Sequence, residues 1–359
     1  MIAHLLLSNG MEFTGEAVGA QGTAFGEICF NTAMAGYQEI LTDPSYSEQI
    51  IVMTYPEIGN YGINKYDFEN EKVYAKGMIM KNYCYNDSHY LAEMTLSDYL
   101  KSNNVIGISG LDTRKITTVI REAGTMSCLI TTENITDEMR KKLQSWQMDK
   151  DVAKNASKNK KCHYDGKRVK FVVVDLGLKN SILKNLINSN CDVELLPWSA
   201  SAQEILSYNP DAVLFSNGPG NPEDAVEAID VIKELIGKVP LYGICLGYQI
   251  LAIAMGAKTY KLKYGHRGGN HPVINLQTNE VLLTSQNHGY AVDETTLGEN
   301  VILTYKNIND GTLEGFACPD LKIEAVQFHP EASPGPMDAA GIFERWIEQT
   351  EGYKLCQKI

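Results

Sequence analysis

Cys245 stands in Leu241-Tyr-Gly-Ile-Cys-Leu-Gly-Tyr-Gln249 with a glycine two residues to either side. The residues before it read as a short buried strand, and those after it as an apolar helix that Gly256 stops. A strand, a sharp turn and a helix with the reactive side chain at the turn make a nucleophile elbow, here with cysteine where hydrolases carry serine. The turn leaves the sulfur at the helix N-terminus, where the dipole and free N–H groups favour thiolate over thiol. A thiolate needs a base. In Gln327-Phe-His-Pro-Glu331, His329 and Glu331 are two apart in an extended segment and so share a side. A carboxylate bonded to one imidazole nitrogen leaves the other free to move a proton, which completes a Cys-His-Glu triad. His288, in Gln286-Asn-His-Gly-Tyr290, is a rival base; His329 is favoured because only it has a carboxylate at the right spacing. Ser216-Asn-Gly-Pro-Gly220 directly follows an expected strand, and its glycines let backbone N–H groups turn toward a ligand. The N–H groups of Leu246 and Gly220 are the candidates for holding a tetrahedral oxyanion. Taken singly, each feature has a plainer reading: a buried small hydrophobe, a surface ion pair, a Pro-Gly turn. Their shared placement at strand ends favours the chemical one.

These residues need a scaffold that gathers strand ends. From residue 169 strands and helices alternate: strand Lys170–Asp175, helix Asn180–Asn188, strand Val193–Leu196, helix Ala202–Ser207, strand Ala212–Phe215, helix Ala225–Ile236, then the elbow. Such alternation means βαβ units in an α/β, doubly wound, mostly parallel sheet, where ligands collect at the carboxyl ends of the strands. Short strands follow, at Thr259–Leu262, Val281–Thr284, Val301–Tyr305, Leu313–Ala317 and Ile323–Phe328, and a helix over about Asp338–Gln349 closes the domain, taken as residues 169–354.

Residues 1–146 form a separate strand-rich α+β domain that declares no chemistry of its own. Asn9-Gly10 between two apolar runs signals a hairpin. Phe25–Phe30, Ile50–Thr54 and Gly77–Met80 are expected strands. Thr95, Asp112 and Thr136 each open a helix. Residues 147–168, rich in Lys, Asn, Asp and Ser, read as a solvated basic linker.

The size, 359 residues with 44% hydrophobic, suits two domains with ample core. A net charge of −12 argues against a general nucleic-acid binder. No apolar run approaches the length of a membrane span, and the N-terminus lacks the basic region of a signal peptide. Eight cysteines occur without C-x-x-C or zinc spacing, so reduced thiols in a cytoplasm and no metal site are expected. No G-x-x-x-x-G-K-[ST] loop is present, so ATP chemistry is not expected in this chain.

Together Ser216–Gly220, Gly243–Gln249 and His329-Pro-Glu331 resemble the class I, triad-type glutamine amidotransferases. Gly265-His-Arg-Gly-Gly-Asn-His-Pro272, Gln286–Tyr290 and Pro330-Glu-Ala-Ser-Pro-Gly-Pro336 resemble, more narrowly, the small subunits of carbamoyl-phosphate synthetases. Phe30–Tyr46 and Leu111-Asp-Thr-Arg-Lys115 are similar to the N-terminal domain of those subunits, so the resemblance spans essentially the whole chain. It implies Cys245 as nucleophile, His329 as base and Glu331 as its orienter. It also implies that L-glutamine is held by Ser45, Gly218, Gly220, Leu246, Gln249, Asn287, Gly289 and Tyr290. A large subunit is the implied partner, in a heterodimer or a higher assembly of heterodimers. That subunit would carry ATP and Mg and make carbamoyl phosphate from bicarbonate and two ATP for arginine and pyrimidines; this chain would need no cofactor. Tyr248 departs from the histidine many members have there, which touches fine positioning beside the site. Two other classes stay open: a regulatory or scaffold subunit that no longer hydrolyses glutamine, and a stand-alone cysteine hydrolase of the same fold.

Overall fold

In the computed structural model, which describes residues 1–356, Asn9-Gly10 turns the chain as expected, with Gly10 at φ 89°. Strands Ile2–Leu7 and Glu12–Gly19 run antiparallel with Leu6 opposite Glu12. Positive φ is free of Cβ cost at glycine, so the turn closes tightly. Five more strands complete a closed barrel: Ile106–Ser109, Gly77–Ile79, Gln49–Met53, Thr23–Asn31 and Met126–Thr131, the last pairing back to Ile2–Leu7. Inside it pack Leu5, Leu7, Ile28, Ile50, Val52, Ile108 and Ile130, all fully buried. The helices start on side-chain caps: Thr95 Oγ1 accepts the Asp98 N–H, Asp112 Oδ1 that of Lys115, and Thr136 Oγ1 that of Met139. Helices Leu96–Ser102, Thr113–Ala123 and Asp137–Ser145 follow. The barrel residues belong to one compact unit, Met1–Asp149 with Lys263–Gly268; Lys150–Leu262 and Gly269 onward form a second.

In the second unit Lys170–Asp175 runs parallel to both Asp192–Pro197 and Ala212–Phe215. Leu241–Ile244 lies parallel between Ala212–Phe215 and Ile323–Val326. Around this parallel centre the ten-stranded sheet continues antiparallel through Leu313–Cys318, Ile302–Asn307, Thr259–Asn275 and Val281–Val292. Successive residues of the first strand feed opposite faces: Val172 and Val174 pack with helices Val226–Leu235 and Leu246–Ala254, Phe171 and Val173 with helices Asn180–Asn188 and Gly341–Cys356. Two apolar layers on one central sheet explain why these strands are apolar throughout rather than alternating.

Three stretches differ from the sequence reading. Residues 147–168 hold a helix, Val152–Ala156, and an edge strand, Cys162–Tyr164, antiparallel to Asp192–Pro197. Val152, Ala153 and Ala156 are buried, and two of the basic residues meet acids, Lys161 with Glu204 on helix Ala202–Ser207 and His163 with Glu194 on strand Asp192–Pro197. The strands expected at Thr259–Leu262 and Val281–Thr284 run on to Asn275 and Val292. Glycine, histidine and asparagine are poor strand formers, so pairing and burial, not propensity, extend them. The last helix continues past Gln349 to Cys356.

Candidate active site

Strand Leu241–Ile244 is wholly buried, and Cys245 follows at φ 56°, ψ −103°, as the N-cap of helix Leu246–Ala254. A residue with a Cβ is strained by about 1–3 kcal/mol at positive φ. The strain is held in place from three sides. The Cys245 N–H donates to the Val326 carbonyl at 2.9 Å, and the Gly247 N–H to that of Ser216 at 3.0 Å. A Cβ on Gly247 would lie 2.1 Å from the Phe215 carbonyl oxygen, and one on Gly243 2.6 Å from the Gly247 carbonyl carbon. Only glycine at both positions lets strand and helix close on the turn. The Cys245 side chain is 2% exposed and its thiol donates to the Asn287 carbonyl at 3.6 Å.

His329 sits just past strand Ile323–Val326, the parallel neighbour of the elbow strand, which brings the two strand ends together. Its backbone N–H donates to the Ser285 carbonyl at 2.9 Å. Nδ1 donates to Glu331 Oε1 at 2.6 Å, so the expected orientation across Pro330 is realised. Nε2 is buried and has no hydrogen-bond partner among the described residues, leaving it available for a proton. Burial and the Lys179 ammonium disfavour the protonated ring, but Glu331 and the Cys245 side chain outweigh them, so the His329 pKa is raised. For Glu331 the balance is reversed: burial raises its pKa, yet Lys179 and His329 together pull it well below the usual carboxylate range. A basic imidazole beside the thiol favours transfer of the thiol proton onto Nε2.

Lys179 was not singled out by its sequence context. It lies 2% exposed after strand Lys170–Asp175, with Nζ 2.9 Å from Glu331 Oε1 and donating to the Ala332 carbonyl at 2.6 Å. Its backbone N–H donates to Asn217 Oδ1 at 3.0 Å, tying it to the Ser216–Gly220 loop. The only sequence signal was its place beyond the carboxyl end of a sheet strand.

The other expected residues fall into groups. A Cβ on Gly218 would lie 2.1 Å from the Leu176 carbonyl oxygen and 2.7 Å from Leu246 Cδ2, so this glycine packs against the elbow. Gly220 adopts φ 97°. The Leu246 N–H is the first of its helix and has no intrahelical carbonyl to meet. Gln249 is 3% exposed, and its Nε2 donates to the Tyr290 carbonyl and to Gln327 Oε1, each at 2.9 Å. It therefore braces the Gln286–Tyr290 segment, whose Asn287 is buried and whose Gly289 and Tyr290 are half-buried. Ser45 is buried in the barrel-containing unit, in the turn Pro44–Tyr46, with its N–H on Asp43 Oδ1. His288 spends both ring nitrogens on oxygens at 2.7 Å, the Tyr290 carbonyl and Gln286 Oε1, which leaves no lone pair for base work. Tyr248 points away from the sulfur. It is fully buried against Phe316, with its hydroxyl donating to the Leu313 carbonyl at 3.2 Å.

A cysteine on an elbow, a basic imidazole and a buried carboxylate can carry out acyl transfer through a thioester. Residues 5–130 match the family described as carbamoyl-phosphate synthase small chain, CPSase domain, and residues 172–349 match glutamine amidotransferase class-I. The chain is 47% identical over 345 residues to the carbamoyl phosphate synthase small chain of Clostridium acetobutylicum, covering 96% of this chain and 98% of that one. It is 46% identical over 349 residues to the small chain of Bacillus caldolyticus, covering 97% and 96%. It is 45% identical over 363 residues to the pyrimidine-specific small chain of Bacillus subtilis, covering 99% and 100%. With both halves matched and near-complete coverage at this identity, the chain belongs to the carbamoyl phosphate synthase small-chain family.

Proposed function

We propose that this chain is the glutamine-hydrolysing subunit of a carbamoyl phosphate synthase, with Cys245, His329 and Glu331 as its catalytic triad. The observation that carries the reading is the buried His329–Glu331 pair at 2.6 Å beside a cysteine held at positive φ on a helix N-terminus. The Cys245 sulfur attacks the side-chain amide carbon of L-glutamine. The resulting oxyanion rests on the N–H groups of Leu246 and Gly220; a single such donor is typically worth about 3–4 kcal/mol. His329 Nε2 gives its proton to the amide nitrogen, ammonia leaves, and a glutamyl thioester remains on the sulfur. His329 then takes a proton from water as the water oxygen attacks the thioester, and glutamate and the thiol are released. Glu331 keeps the ring oriented and balances its charge through both halves. Gly218, Gln249, Asn287, Gly289 and Tyr290 complete the glutamine site of the second unit. The ammonia goes to a large subunit, which carries ATP and Mg and makes carbamoyl phosphate from bicarbonate and two ATP for pyrimidine and arginine synthesis in the cytoplasm. The two chains work as a heterodimer or an assembly of heterodimers.

The test is ammonia release from glutamine by the full chain, wild type beside Cys245→Ala, each with and without a bacterial large subunit. The expected result is slow hydrolysis alone, a large rise with the partner, and none without Cys245. Glutamine left intact in every mixture would overturn the reading.

A further inference from the structure

Glu314 is a carboxylate with no exposed surface, on a strand that contributes nothing to the triad. The strand slips there: Tyr305 pairs with Gly315 and Lys306 with Leu313, so Glu314 is the extra residue of a bulge. Bulges re-aim side chains and gather beside active sites. This one directs a carboxylate into a chain of buried polar groups. Glu314 Oε1 accepts from Asn307 Nδ2 at 3.2 Å, and Oε2 from Gln286 Nε2 at 3.0 Å. That second bond fixes which way the Gln286 amide faces, so Gln286 Oε1 meets His288 Nε2 at 2.7 Å. His288 Nδ1 in turn meets the Tyr290 carbonyl, which also receives Gln249 Nε2. Between these anchors lies Asn287, whose carbonyl takes the Cys245 thiol. Both His288 nitrogens thus meet oxygens at 2.7 Å, which pins the ring between Gln286 and Tyr290. Ligand-type atoms of Glu314, His266 and His288 all lie within 4.8 Å of one another, so the carboxylate sits close to both rings.

We propose that Glu314 is a positioning residue for the glutaminase reaction, setting the Gln286–Tyr290 segment against Cys245 through the Gln286 amide and the His288 ring that the amide holds. The inference rests on the proposed glutaminase function and adds to it a residue that touches neither glutamine nor the sulfur. Loss of the carboxylate frees the side-chain anchors of the segment assigned to holding substrate, while the triad meets that strand through the backbone carbonyls of Ser285 and Asn287. Its signature is therefore a split between KM and kcat.

The experiment measures glutamine hydrolysis by the full chain with a large subunit for wild type, Glu314→Ala and Glu314→Gln, with iodoacetamide alkylation of Cys245 followed alongside. Glu314→Ala is expected to raise the KM for glutamine about tenfold, the scale of one buried hydrogen bond lost. Its kcat stays within about threefold, as does the alkylation rate. Glu314→Gln, which keeps the volume and one acceptor oxygen, falls between. If Glu314→Ala does not fold, Glu314→Gln decides by the same split. An unchanged KM in a folded variant, or equal losses in KM and kcat, would overturn the role. Failure of the glutaminase reading would instead appear as a wild-type chain that leaves glutamine intact, whatever stands at position 314.

Discussion

Replacing Glu331 with glutamine removes the charge but keeps the shape at the most buried point of the site. In the native protein the His329 ring is held basic by Glu331 and the Cys245 side chain, against burial and the Lys179 ammonium. Glu331→Gln takes away the larger of the two supporting influences and leaves both opposing ones, so the ring becomes less basic than an ordinary histidine supported only by the thiol. The lost contact is a charge-assisted bond of 2.6 Å between groups 2% and 0% exposed. Bonds of that kind are worth about 1.5–3 kcal/mol. At neutral pH that corresponds to about a ten- to hundredfold loss of thiolate, and of alkylation rate, at Cys245. The direct assay is the pH profile of iodoacetamide alkylation, read on the Cys245 peptide by mass spectrometry because seven other cysteines are present. The variant profile should shift to higher pH. The same change strips Lys179 Nζ of its carboxylate while its side chain is 3% exposed. Breaking a buried pair from one side costs about 3–5 kcal/mol of stability, so the melting temperature should fall as well. An alkylation profile that superimposes on that of wild type would refute the argument that Glu331 tunes the base, even if the variant were less stable.

Acidification tests the same carboxylate without mutation. The Glu331 pKa is depressed in the fold, so its contribution to stability is complete above its ordinary value of 4.5 and is lost as pH falls below that; denaturant midpoints between pH 6 and 3 should decline accordingly. Lys179→Met removes the leading cause of that depression, so the variant should start less stable and lose less over the same range. Gly247→Ala would place a Cβ 2.1 Å from a strand carbonyl oxygen; strand and helix must separate, and Cys245 alkylation and glutamine hydrolysis should both collapse while Gly298→Ala, with open space around it, changes neither. Tyr248→Phe deletes a buried hydroxyl bonded to the Leu313 carbonyl, which should cost about 1 kcal/mol of stability and leave kcat for glutamine unchanged.

What the sequence disclosed, and what it withheld, follows from how far each feature depends on distant residues. The elbow was legible because its constraint is local: glycines at 243 and 247 are demanded by contacts within a few residues of Cys245 and by one neighbouring strand. The His329–Glu331 pair was legible for the same reason, since two-residue spacing in an extended segment already fixes a shared side. Helix starts at Thr95, Asp112 and Thr136 declared themselves through caps three residues long. Strands Ile106–Ser109 and Met126–Thr131 did not, because a barrel strand paired on both sides needs no alternation to be stable. The segment Gln286–Tyr290 lay beyond the strand expected at Val281–Thr284, yet it continues that strand because buried side chains on other strands hold it.

Lys179 and Glu314 mark the limit of such reading. Each is a single charged residue whose partner in the site, Glu331 for Lys179 and Gln286 for Glu314, lies far along the chain, and a lone lysine or glutamate is ordinarily taken for a solvated one. Lys179 meets Glu331 across 152 positions of chain and the Ala332 carbonyl across 153. Glu314 reaches Gln286 across 28, and only because a bulge turns it inward. Their charges are affordable in the interior solely because the tertiary fold supplies opposite charge and hydrogen bonds at once. The site thus has two layers with different origins. Short-range rules set the groups that touch the reacting atoms, whereas buried charges assembled from remote strands set how basic and how fixed those groups are. Replacing Cys245 itself should abolish turnover outright. Substitutions that act through the buried charges should displace pH profiles and KM while leaving the sulfur in place, and that distinction is measurable in the Cys245, Glu331, Lys179 and Glu314 variants.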